Sequence, residues 1–159
     1  MATRSKAFKP SERKYALINQ RIGIIVADWH NDITSLLLSG ALDVLKKGGI
    51  KASDITVMQA PGSFELPLSA QWLIKDNKVN AVICLGCIIK GETPHFDFIS
   101  QAVAQGIMNL NLTYNIPVIF GVLTTNTIQQ AKERSGGKHG NKGAEAAAAA
   151  LEMLENKKR

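Results

Sequence analysis

The chain of 159 residues is long enough for one domain with a sizeable core, and 45% hydrophobic against 20% charged residues is an ordinary globular balance. No apolar run reaches membrane-spanning length, and the basic N-terminus lacks the apolar stretch of a secretory signal. The net charge of +6 does not mark a nucleic-acid binder. Residues 1–14 hold Arg4, Lys6, Lys9, Arg13 and Lys14 against Glu12, and Lys157, Lys158 and Arg159 close the chain, so the part between is near neutral.

Residues 1–20 lack periodicity and read as a basic, mobile N-terminal arm; residues 21–159 read as a single domain. Ile22–Ala27 is a short run rich in β-branched residues, the pattern of a strand buried on both faces. Asp28 to Asn31 form the turn after it. Ile33, Leu36, Leu37, Gly40, Ala41, Val44 and Leu45 then make a helical stripe, ended by Gly48 and Gly49. Ile55–Met58 is a second strand, followed by the tight turn Ala60–Glu65 and a helix to about Lys75. Ala81–Cys87 is a third strand. A helix from Pro94 carries Phe96, Ile99, Val103, Ile107 and Leu110 on one face. Pro117–Leu123 is a fourth strand, with Thr124, Thr125 and Asn126 available to cap a short helix ending near Arg134. Ser135–Gly143 reads as a glycine-rich basic loop, and Ala144–Asn156 as an Ala-rich helix.

Strands alternating with helices predict an α/β three-layer sandwich, with a four-stranded parallel sheet covered by helices on both faces. Every strand-to-helix turn of such a sheet emerges at the carboxyl edge of the strands, where ligands bind. Trp29, Ser63, Glu65, the segment from Ile89 to His95, Thr124 and Asn126 are therefore expected to cluster. Trp29 can stack on a flat ring. Thr93 reads as an N-cap and Pro94 as the first helical residue. His95 then lies in the first turn, where the helix dipole disfavours the imidazolium and leaves the ring free to exchange a proton. The free N–H groups from Gly91 to His95 suit an anion. The bland reading of this stretch is a capping turn with an exposed histidine.

Cys84 and Cys87 have redox-like spacing but fall within one strand, where residues three apart face opposite sides. Core packing is the reading that follows, with no metal site, and two free thiols point to the cytoplasm. Arg134, Lys138, His139 and Lys142 surround four glycines in a pattern that is neither a Walker A loop nor a dinucleotide fingerprint. Arg134 is the guanidinium best suited to phosphate.

Five motifs together resemble the 6,7-dimethyl-8-ribityllumazine synthase family: RIGIIVADWHN at 21–31, PGSFELP at 61–67, GCIIKGETPHFDFIS at 86–100, FGVLTTNT at 120–127 and AKERSGGKHGNKGAE at 131–145. The likeness runs from about Arg21 to Glu155. It implies a flavodoxin-like fold and an enzyme of riboflavin biosynthesis. The family condenses 5-amino-6-(D-ribitylamino)uracil with 3,4-dihydroxy-2-butanone 4-phosphate, releasing phosphate and water, with no cofactor.

The resemblance also implies residue roles. His95 would transfer protons. Trp29 would stack on the pyrimidine, with Ser63, Phe64 and Glu65 on the ribityl chain and Cys87, Ile88 and Ile89 along the ring site. Phe120 would close the pocket from a neighbouring subunit, and Lys142 matches a family lysine near the ribityl site. Glu92 and Thr93 would hold the phosphate by their backbone, with Arg134 from the neighbour. Asp28, Lys90 and Asn126 depart from residues frequent in the family without removing a named role. Homopentamers are implied, assembled by twelves into a 60-subunit shell because Ser135–Gly143 is short, with riboflavin synthase as a candidate partner and no membrane or nucleic acid. Two other readings stay open on the residues alone: a flavodoxin-like module binding FMN or another nucleotide, and a non-catalytic shell-forming carrier.

Overall fold

The computed structural model of the chain describes residues 15–158. Four strands, β1 (Ile22–Ala27), β2 (Ile55–Ala60), β3 (Ala81–Ile89) and β4 (Val118–Thr125), pair in parallel in the order β2-β1-β3-β4. The central strands β1 and β3 are almost wholly buried, whereas the edge strand β2 alternates exposed and half-buried positions. This division follows from the pattern of the runs. A strand with helices on both faces needs an unbroken apolar run, and an edge strand does not.

Five helices cover the sheet: α1 (Asn31–Lys47), α2 (Leu66–Asn77), α3 (His95–Tyr114), α4 (Ile128–Arg134) and α5 (Lys142–Lys157). Alternation along the strands divides the core in two. Ile22, Ile24 and Val26 of β1 with Ile83 and Leu85 of β3 meet α1 and α5, and Ile25 and Ala27 with Val82 meet α2 and α3. Each fully buried Ile or Leu there contributes about 1.5–3 kcal/mol by leaving water. Cys84 lies in the second cluster and Cys87 in the first, so the two thiols do face opposite sides of the sheet.

Three local expectations are corrected. The helix expected to start at Pro94 behind a Thr93 cap begins one residue later. Pro94 takes the capping position, and its carbonyl accepts from the N–H of Asp97 at 3.0 Å and of Phe98 at 3.3 Å. Its ring fixes φ near the helical value, so the chain enters the helix without a hydroxyl cap. The short helix α4 is capped by Thr127, whose side chain accepts from the N–H of Gln130, and not by Thr124, Thr125 or Asn126.

The glycine-rich segment is an ordered antiparallel hairpin, β5 (Ser135–Gly137) with β6 (Gly140–Asn141). Gly136 and Gly140 sit at φ 123 and 78, where a side chain would be strained. Asn141 fixes the hairpin to the rest. Its Oδ1 accepts from the N–H groups of Gly143 and Ala144 and caps α5, while its Nδ2 donates to the carbonyls of Leu36 and Ser135.

Of the basic arm expected over residues 1–20, residues 1–14 lie outside the described residues. Leu17 is buried in the core beside α1 and α5, and the ammonium of Lys158 donates to the carbonyl of Ala16 at 2.9 Å. Among the described residues, no helix is long and apolar enough to cross a membrane.

Candidate active site

Strand order reverses direction between β1 and β3, and the crevice outside their carboxyl ends is where an open parallel sheet admits a ligand. A cavity of about 830 Å³ lies there. Three turns build it. The turn after β1 contributes Trp29, the turn after β2 contributes Ser63, Phe64 and Glu65, and the end of β3 with the following turn contributes Cys87, Ile88, Ile89, Gly91, Thr93 and His95. Two backbone bonds hold the first two turns side by side: the N–H of Asp28 donates to Ala60 O at 2.8 Å and that of Trp29 to Pro61 O at 3.1 Å.

The walls carry distinct chemistry. Trp29, at 70% exposure, and Phe64, at 59%, present flat apolar faces. The hydroxyl of Ser63 is buried in the wall with no hydrogen-bond partner among the described residues. A buried, unpaired hydroxyl is costly unless something arrives to bond it. Gly86 sits beneath it because a Cβ there would come within 2.5 Å of the Ser63 Oγ. At the other end, the N–H of Lys90 is taken by Thr125 O at 2.9 Å, and no acceptor among the described residues takes the N–H groups of Gly91, Glu92 or Thr93. Free backbone donors ahead of a long helix, with an exposed imidazole at its first residue, are an arrangement that can take an anion beside a group able to exchange a proton.

Both cysteines are inert. Burial pushes the Cys84 thiol up to about 12, and burial together with the Asp32 carboxylate does the same for Cys87. Cys87 therefore lines the cavity as a neutral apolar surface rather than a nucleophile. Among the described residues, no three His, Cys, Asp or Glu side chains gather as a metal site would require.

Not every expected residue reaches this cavity within one chain. Thr124 and Asn126 of the fourth turn stay outside it, as do Glu92, Phe120, Arg134 and Lys142. Phe120, 38% exposed, lies on the edge strand β4. Arg134, at the end of α4, donates to the carbonyl of Gln130 at 3.0 Å and lies 4.0 Å from the Glu133 carboxylate. Lys142 pairs with Glu145 in the first turn of α5. Glu133 gathers two side chains of the hairpin, Lys138 at 3.0 Å and His139 at 3.7 Å, and the Lys138 bond holds its carboxyl below the usual range.

His30, Phe98 and Ala102 line the cavity without having been singled out. Phe98 had a readable signal, since it stands off the apolar stripe of its helix and is 70% exposed. His30 had none, because its placement depends on a left-handed backbone, φ 61 and ψ 46, that no neighbouring residue type dictates.

A family model described as 6,7-dimethyl-8-ribityllumazine synthase matches residues 19–158. The chain is 56% identical over 138 residues to a protein of that description from Cytophaga hutchinsonii, covering 87% of either chain. It is 54% identical over 133 residues to one from Porphyromonas gingivalis, 84% of this chain and 83% of the relative. Against one from Phocaeicola vulgatus it is 50% identical over 141 residues, 89% of this chain and 84% of the relative. With a family match that spans the sheet, all five helices and every turn of the cavity, and relatives more than half identical over most of their length, the chain belongs to the 6,7-dimethyl-8-ribityllumazine synthase family.

Proposed function

We propose that this chain performs the family's condensation, joining 5-amino-6-(D-ribitylamino)uracil to 3,4-dihydroxy-2-butanone 4-phosphate in riboflavin biosynthesis, in the cytoplasm. The observation that carries the reading is one cavity holding an aromatic platform, an unpaired buried hydroxyl, free backbone donors and an imidazole. Trp29 stacks on the pyrimidine. Ser63, Phe64 and Glu65 hold the ribityl chain, whose hydroxyls suit the orphaned Ser63 Oγ. Cys87, Ile88 and Ile89 form the apolar wall beside the ring.

The phosphate rests on the N–H groups of Glu92 and Thr93. The amine attacks the ketone, water leaves to give an imine, phosphate departs by elimination, and ring closure releases a second water. Each step moves a proton, which His95 at the helix start carries between substrate atoms. Much of the acceleration comes from holding two intrinsically reactive partners together.

The missing cationic partner for the phosphate comes from a second copy of the chain, which supplies Arg134 and closes the pocket with Phe120, while Lys142 serves the ribityl end. Support for self-association comes from Leu68, Trp72, Phe98, Met108 and Leu112, all about half exposed or more on the α2 and α3 layer. The ring is a pentamer, and twelve pentamers form a shell; riboflavin synthase is a candidate partner of that assembly. Pure protein mixed with both substrates is expected to generate the fluorescent lumazine and to release one phosphate per product. Absence of both signals overturns the reaction, and a scattering mass of one pentamer overturns the shell.

A further inference from the structure

His30 is a polar cavity residue that the proposed reaction leaves without a task. Its backbone is left-handed, an uncommon conformation for a non-glycine residue that its surroundings here hold in place. The surroundings are two clamps. On one side Trp29 is held by the bond from its N–H to Pro61 O. On the other, the His30 carbonyl accepts from the N–H groups of Ile33 at 2.8 Å and Thr34 at 3.0 Å, and the Thr34 hydroxyl donates to Ala27 O at 2.8 Å. Between them the chain must reverse within one residue. That reversal sets the imidazole edge-on to the Trp29 indole, with ring centroids 6.3 Å apart and planes at 87°. Distance and angle are those of a favourable edge-to-face aromatic pair.

We infer that His30 is a positioning residue for the uracil substrate: its imidazole braces the Trp29 indole in the orientation that stacks the pyrimidine. The inference rests on the stacking role given to Trp29 above. The backbone alone would be better served by glycine or asparagine, which enter the left-handed region more readily. What either residue lacks is a ring against Trp29, so a purely conformational role and a bracing role make opposite forecasts for the same substitutions.

The test uses His30→Gly and His30→Asn in the full chain. With bracing, the KM for ribitylaminouracil rises ~2- to 12-fold in both, the span set by one aromatic pair. The KM for the butanone phosphate and kcat at saturation stay at their unsubstituted values. Trp29 emission, read in a Trp72→Phe background, loses anisotropy as the indole is freed. A uracil KM unchanged in both variants overturns the inference. Trp29→Ala separates the two levels. If it raises the uracil KM while His30→Gly does not, bracing fails and stacking stands; if it is itself silent, both fail. In the Trp29→Ala background His30→Gly is expected to add nothing, and a further rise there would mean direct contact with substrate, which also overturns the inference.

Discussion

The first three strand-to-helix turns and the segment after the fourth strand make an instructive contrast. The former converge on one cavity, the first two held side by side by the N–H groups of Asp28 and Trp29 donating to Ala60 O and Pro61 O. The latter carries Arg134, Lys138, His139 and Lys142, yet within one chain these side chains are occupied with Glu133, Glu145 and a helix carbonyl. One region is open, and the Ser63 hydroxyl in it lacks a partner among the described residues. The other is closed on itself. On the proposed reading, the free N–H groups before α3 and the Arg134 guanidinium are two half-sites of one phosphate site, which a second copy of the chain would bring together.

Glycine substitutions would break that comparison most sharply. At Gly143 an added Cβ would run into the Leu37 backbone of α1, which cannot step aside as a side chain can. Gly143→Ala is expected to cost about 3 kcal/mol, seen as a lower urea midpoint. At Gly91, in the cavity turn, a Cβ meets nothing within 4 Å. Gly91→Ala should leave stability within about 0.5 kcal/mol of the unsubstituted chain. Equal effects at the two sites would erase the distinction between a packed joint and an open cradle.

Catalysis gives the next largest effect. His95→Ala is expected to lower kcat about 100-fold without abolishing turnover, because positioning survives the loss of the proton carrier. A folded, substrate-binding but wholly dead variant would refute that. Arg134→Ala should act instead on the KM for the phosphate substrate. Co-expressing the two variants in one assembly then sharpens the comparison. If the half-sites come from different copies, some junctions regain both residues and activity recovers. If one chain supplied both, no junction would.

The smallest effects are those of pH, and they oppose each other in the two regions. Thiols in the unfolded chain ionise from about pH 8.5, whereas Cys84 and Cys87 stay protonated until about 12 in the fold. The unfolded state therefore binds fewer protons across that window, and stability falls as pH rises through it. Glu133 behaves in the reverse sense. Its carboxyl is held low chiefly by the Lys138 bond, so its contribution is present above the ordinary carboxylate value and lost as pH falls through its own lower one. The protection factor of the His139 amide, whose N–H donates to Glu133 O at 2.9 Å, should fall in acid before those of the sheet. Uniform loss of protection would count against a separately held hairpin.

Periodicity made the sheet and the long helices legible, because β1, β3 and α3 owe their form to which residues must leave water. The carboxyl-edge rule then brought Trp29, Ser63, Glu65 and His95 together from positions far apart in the chain. What sequence could not show depended on contacts between distant segments. The hairpin at Ser135–Asn141 is ordered by Asn141 reaching Leu36, 105 residues away, which no local pattern encodes. Pro94 displaced Thr93 from the cap because a fixed φ substituted for a hydroxyl, a close contest between two adjacent start signals. Phe120, Arg134 and Lys142 stand outside the cavity of the single chain, and it was the family resemblance rather than the pattern of residues that paired them with it.

The bond from Lys158 to Ala16 joins the two ends of the described chain at the rim of the sheet opposite the cavity. Lys157 adds a second tie nearby, donating to Asn115 O at 2.7 Å where α3 ends. Ends this close make the topology nearly circular. A permuted chain, with those ends bridged by a short linker and opened at an exposed turn such as Lys51–Asp54, would keep every ligand-facing loop continuous. Cargo joined directly at Tyr15 or Lys158 would leave from that same rim, away from the cavity.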